Sequence, residues 1–180
     1  MKLIAKLSFV VLPFLILALT NVSNLLCATS IGQAAPALVV QEFNGHTFDL
    51  ATEQGKVTIV NFWATWCPPC RKEMPALDAF YKRYHSQGVE MIGLSADRPR
   101  DRSEVAKVMQ SFSYPAAMLD DAKSNGFDKS SALPVTYVID KSGILRAKLI
   151  PDEKPLMEES LAEVVAPLLS RQLGTRGSAH

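Results

Sequence analysis

The chain has 180 residues, 48% of them hydrophobic, with 19 Lys and Arg against 18 Asp and Glu for a formal charge of +1. That length and apolar content suit one domain with a buried core, plus an export segment. Balanced charge, with no stretch that gathers basic residues among aromatics, argues against a nucleic-acid surface or a dedicated acid-binding surface.

The chain begins with Lys2 and Lys6 and carries no further charge until Glu42. Residues 7–19 are dense in Leu, Val, Ile and Phe, the pattern of a secretory signal. Pro13 and the one-sided lysines count against a buried core helix. The positive-inside rule places the remainder of the chain across the membrane, in the periplasm or on the extracytoplasmic side. Two fates stay open for residues 1–28: a signal peptide cut near Ala28, or an uncleaved anchor reaching about residue 26 and just long enough to span. Lipidation at Cys27 is disfavoured, because Leu26 stands where lipoprotein processing wants a small residue. Membrane contact is expected only through this segment. Without Lys2 and Lys6 the exported part is formally −1, and its cysteines are Cys67 and Cys70. Two are too few for a disulfide scaffold.

The main domain is expected over residues 32–170. Asn44-Gly45 between the apolar segments 37–43 and 46–50 signals a β-hairpin. A buried strand follows over 57–63, then Cys67-Pro68-Pro69-Cys70 at a helix start. Cys70, Met74, Leu77, Tyr81 and Tyr84 recur at helical spacing, with Pro75 expected to kink the helix and Gly88 to end it. A second buried strand spans 89–95, and Asp101 or Ser103 can cap a helix facing inward through Val105, Val108, Met109 and Phe112. Residues 116–119 read as a weak strand, and 120–131 as loop or short helix. Strands over 135–139 and 144–150 flank the turn 140–143. Pro155 opens a last helix with Met157, Leu161, Val164, Val165 and Leu168 inward, and Pro167 bends or ends it. Residues 171–180 read as a flexible tail. The order gives a mixed central sheet with helices on both faces, an α/β fold.

A strand-to-helix Cys-x-x-Cys places two sulfurs where they can pair and where the helix N-terminus favours a thiolate. Cys67 takes the exposed start of the helix and Cys70 the buried face, so Cys67 is the expected nucleophile and Cys70 the resolving thiol. Both Pro68 and Pro69 lack an N–H, which leaves the Cys70 amide as the expected main donor to the Cys67 sulfur. A metal site is disfavoured, because zinc takes four ligands and the other soft candidates are His46, His85 and His180, scattered along the chain.

The stretches 32–50 (GQAAPALVVQEFNGHTFDL), 61–70 (NFWATWCPPC) and 133–143 (LPVTYVIDKSG) resemble, in order, the TlpA/ResA branch of exported thiol:disulfide oxidoreductases. The resemblance spans about residues 32–169. It implies a thioredoxin-like fold with an N-terminal β-hairpin, and an extra segment supplied by residues 113–131. It implies a redox-active Cys67–Cys70 disulfide in the chain itself and no other cofactor. A cis Pro134 facing the cysteines is also implied, with Trp66, Pro68, Pro69, Leu133 and Pro134 lining a substrate groove. Thioredoxin has a titrating Asp on the strand before its motif; here Asn61 stands there, and Asn cannot titrate. In ResA-like proteins a Glu at the position of Glu73 lies beside the thiols, which makes Glu73 a candidate for proton handling. The alternative is an exposed first-turn carboxylate that merely complements the helix dipole. Two departures are Ser130-Ser131-Ala132-Leu133 where many relatives have Gly, and a loop over 151–155 without the usual glycine.

The resemblance implies an extracytoplasmic reductant of specific partner disulfides, of the cytochrome c maturation or oxidase copper-site assembly type, fed by a membrane electron donor of the DsbD/CcdA type. A general oxidant of exported proteins remains open, because direction depends on potential. Peroxiredoxin activity fits less well, since its cysteine sits in a different local motif. A copper chaperone is the binding-class alternative, although such proteins use a wider cysteine spacing and a distant His.

Overall fold

The computed structural model describes residues 30–127, 132–150 and 155–170. The expected export segment, Ser130 and Ser131, most of the 151–155 stretch and the expected tail lie outside them. Seven strands form one sheet in the order β2-β1-β5-β4-β3-β6-β7. They are β1 Leu38–Glu42, β2 Thr47–Asp49, β3 Val57–Trp63, β4 Val89–Ser95, β5 Ala116–Asn125, β6 Val135–Ile139 and β7 Leu145–Leu149. The helices are α1 Pro68–Tyr84, α2 Arg102–Met109 and α3 Glu158–Ser170.

The centre is parallel and the flanks are antiparallel. β3 pairs parallel with β4 from Val57↔Val89 to Trp63↔Ser95, and β4 continues parallel into β5. Antiparallel β6 lies on the other side of β3, with β7 beyond it. All seven residues of β3 are buried, as a strand covered on both faces requires. β1 pairs antiparallel with β2 across a turn in which the Gly45 N–H donates to the Glu42 carbonyl and Gly45 holds φ 87°.

Helices on both faces are not what the described residues show. α1, α2 and α3 all bury residues in one cluster, with Trp63 and Met91 from the sheet. The opposite cluster is built from strand residues such as Val60, Phe62, Ile92 and Leu94, together with Leu50 and Phe127. The reason is topological: β3, β4 and β5 step in one direction across the sheet, so two right-handed crossovers put α1 and α2 on the same side.

Several local expectations are also corrected. The strand expected over 116–119 runs on to Asn125, so residues 120–125 are sheet and not loop. Its outer half pairs with β1 through shifted registers and is largely half-exposed, so its polar side chains carry no alternating pattern. α3 begins at Glu158 and passes through Pro167, and Met157 precedes it and is 51% exposed. Pro167 and Pro75 both lie on exposed helix faces. α1 stops at Tyr84, and a single 3-10 turn, His85–Gln87, connects it to Gly88. Among the described residues no helix is long and apolar enough to cross a membrane.

Candidate active site

The site forms where β3 ends and α1 begins. Cys67 is the N-cap of α1 with extended φ/ψ of −98° and 99°, and Pro68 and Pro69 fill the first turn. Pro suits this position because the N–H it lacks has no partner inside the helix. The next amide, that of Cys70, donates to the Cys67 sulfur at 3.3 Å. Cys67 and Cys70 are joined as a disulfide. An N-cap thiolate in this geometry gains an amide donor and the positive end of the helix dipole, the two influences that lower a thiol pKa from about 8.5.

The expected contrast in exposure is smaller than the helical facing suggests. Cys67 is 4% exposed and Cys70 is 1% exposed. The helix start is sheltered because the disulfide draws Cys67 against the same cluster that receives Cys70. What reaches solvent beside the pair is Trp66, 65% exposed, with exposed Pro68 and Pro69.

The Leu133–Pro134 peptide bond is cis. The β3–β6 register reaches Phe62↔Val135, which places Pro134 and half-buried Leu133 at the same sheet end as Trp63 and the cysteine loop. Asn61 faces the helix-bearing side and donates through Nδ2 to Thr136 Oγ1 at 2.9 Å, a register partner on β6.

Glu73 lies one turn beyond Cys70 and is 1% exposed. Its Oε1 accepts from the Leu156 N–H at 2.7 Å, and its Oε2 is buried without a hydrogen-bond partner. Burial pushes the Glu73 carboxyl above the usual range, and the Leu156 N–H opposes this only in part. Glu73 is therefore not the exposed first-turn carboxylate of the alternative reading. The backbone of Leu156 as its partner had no sequence signal, because a main-chain donor from a lead-in 83 residues away leaves no pattern.

Asp97 was also not evident from sequence. It stands just past β4 and accepts from the Thr65 N–H at 2.8 Å and the Thr65 hydroxyl at 2.5 Å. The available signal was an acidic residue directly after a buried parallel strand, at the carboxyl edge where α/β sheets gather their sites. Among the described residues no group of three or more His, Cys, Asp or Glu is placed to hold a metal ion.

A helix-capping dithiol pair off a central strand, with a cis-proline at the same sheet end, defines the thioredoxin-fold thiol–disulfide oxidoreductases. Comparison with known proteins agrees. Residues 31–148 match the model of the AhpC/TSA family. The thiol-disulfide oxidoreductase ResA of Bacillus cereus is 33% identical over 137 residues, covering 76% of this chain and 79% of that protein. A thioredoxin-family thiol:disulfide interchange protein from Chlorobium tepidum superposes with a TM-score of 0.63 at 27% identity, covering 79% of this chain and 100% of that one. StoA from Bacillus subtilis shares the fold, with a TM-score of 0.56 at 21% identity over 74% of this chain and 99% of that one. The chain belongs to the AhpC/TSA family and, within it, to the ResA-type thiol–disulfide oxidoreductases.

Proposed function

We infer that the protein works on the extracytoplasmic side of a membrane as a reductant of specific partner disulfides, of the kind that serve cytochrome c maturation or oxidase copper-site assembly. The observation that carries this reading is the Cys67–Cys70 pair at the start of α1, with the Cys70 amide on the Cys67 sulfur, in a chain one-third identical to a ResA. In the reduced protein the Cys67 thiolate attacks one sulfur of the partner disulfide. That S–S bond breaks, a Cys67–partner disulfide forms, and the departing partner sulfur takes a proton. Cys70 then loses its proton, with Glu73 as the acceptor, and attacks the Cys67 sulfur. The second partner thiol leaves, two electrons have passed to the partner, and the Cys67–Cys70 disulfide is regenerated. A membrane electron donor of the DsbD/CcdA type then reduces it for the next cycle.

Trp66, Pro68, Pro69, Leu133 and Pro134 form the groove that receives an extended partner segment. The exposed ring of Trp66 and the two exposed prolines give it an apolar rim beside a disulfide that is itself sheltered. The N-terminal segment directs export, and it is also the membrane contact if it is retained.

A Cys70→Ser variant of the full chain, expressed in the native host, tests this. Without a resolving thiol the Cys67–partner disulfide persists and can be isolated. A cytochrome-maturation or oxidase-assembly partner is the expected capture. Capture of many unrelated exported proteins would instead identify a general oxidant, and no capture at all would remove Cys67 from the nucleophile's role.

A further inference from the structure

We propose that Asp97 is a positioning residue for disulfide exchange: through Thr65 it fixes the loop that presents Cys67 at the N-terminus of α1. Regular pairing of β3 with β4 ends at Trp63↔Ser95, and the Ala96 N–H closes it with a 2.8 Å bond to the Trp63 carbonyl. The chain must then cross Ala64, Thr65 and Trp66 before the helix begins. One backbone bond spans that stretch, from the Cys67 N–H to the Ala64 carbonyl at 3.1 Å. Asp97 supplies the side-chain hold. Its Oδ2 accepts from the Thr65 N–H at 2.8 Å and from the Ser95 hydroxyl at 2.7 Å, and its Oδ1 accepts from the Thr65 hydroxyl at 2.5 Å. The Asp97 N–H in turn donates to the Ser95 hydroxyl at 3.1 Å.

A carboxylate that is 3% exposed is a costly way to tie down a loop, since burying a charge is unfavourable unless it is fully hydrogen-bonded. Here amide and hydroxyl donors satisfy it, and charge-assisted bonds of this kind are stronger than neutral ones. Its partner Thr65 is two residues before the attacking sulfur. Rotation of this loop would move the Cys67 sulfur off the Cys70 amide and off the helix axis, where its thiolate is stabilised.

Two substitutions separate position from charge. In Asp97→Asn the amide oxygen can replace Oδ2 for the Thr65 N–H and the Ser95 hydroxyl, while the amide nitrogen donates to the Thr65 hydroxyl. Asp97→Ala loses the same charge and the bonds as well. The test uses reduced, full-length protein and two readouts: the pH profile of iodoacetamide alkylation at Cys67, located by mass spectrometry, and the rate of exchange with oxidised glutathione. The expected result is an alkylation midpoint at higher pH in Asp97→Ala than in Asp97→Asn, with exchange slower by about tenfold, within the range that misplacing a reacting group produces. Coincident profiles and rates in the two variants, both folded, would overturn the proposal. If Asp97→Ala does not fold, Thr65→Val decides: the midpoint moves up relative to the parent if the proposal holds and stays in place if it does not. The inference rests on Cys67 as the attacking thiol. Labelling of Cys70 first in the parent protein would overturn that assignment, whereas coincident Cys67 profiles overturn only the role of Asp97.

Discussion

Glu73 sets the terms at the scale of single residues. Its carboxyl is buried one helical turn from Cys70, with the Leu156 N–H on one oxygen and no donor on the other. Burial holds its pKa above the unfolded value of about 4.3, so the folded state keeps the proton more tightly than the unfolded chain does. The stability this proton lends is fully present below the unfolded value and is lost as pH rises through the folded one. Glu73→Gln removes the ionisation and keeps an oxygen for Leu156. The variant should therefore melt higher than the parent at mildly alkaline pH, with the gain shrinking as the pH falls to 4 or so. Thermal melts across pH check this, and a gain that does not depend on pH would contradict it. In the same variant, exchange should become less sensitive to pH if Glu73 exchanges a proton with Cys70.

At the scale of elements, α1 and α2 share one face of the sheet, and the contact beneath them is tight. Gly93 on β4 lies under Trp63 and Tyr114: a Cβ there would stand 3.1 Å from Tyr114 Cε2 and 3.3 Å from Trp63 Nε1. Both rings are buried, so neither can swing aside into solvent. Gly93→Ala should cost about 1–3 kcal/mol, the usual penalty for overpacking, read as a lower urea midpoint with an unchanged slope. Elements were legible in the sequence wherever burial is symmetric. The runs Val57–Trp63, Val89–Ser95 and Val135–Ile139 are covered on both faces and read directly as apolar blocks. β5 was legible only where it pairs with β4. Beyond Met118 it is held by backbone bonds to β1 while its side chains are half-exposed and mostly polar, and such a strand has a weak hydrophobic signature. Pro167 lies on an exposed face of α3, and the helix runs past it to Ser170. The cysteine pair was legible from its motif, and a cis Pro134 and a carboxyl at Glu73 only through the resemblance to ResA-like proteins, whereas Asp97 acts through a loop amide and hydroxyl that the fold alone brings to it.

For the whole molecule, acid stability should follow two buried carboxylates, Asp140 closing the β6–β7 turn and Asp78 linking α1 to the loop before β5. Burial alone would push the Asp140 carboxyl up, but donors from Ile144, Ser142 and Arg146 outweigh it and hold it below the usual range. Asp78 is the same case: burial is outweighed by Lys82 and by the amide and hydroxyl of Ser113, which tie α1 to the loop before β5. Carboxyls held low contribute stability above the unfolded value of about 3.9 and lose it as pH falls through the folded value. Asp140→Asn should therefore lower stability at neutral pH by about 1–2 kcal/mol, and the gap to the parent should close in strong acid. Equal loss at every pH would mean that the β6–β7 turn needs the shape of the side chain and not its charge.

The unequal roles of the two cysteines are the centre of this picture, and one measurement addresses them directly. Fully reduced protein at neutral pH is given less than one equivalent of iodoacetamide, and the modified peptide is located by mass spectrometry. The N-cap position and the Cys70 amide predict that the label falls on Cys67, leaving Cys70 free. Label on Cys70, or an even division between the two, would contradict the assignment.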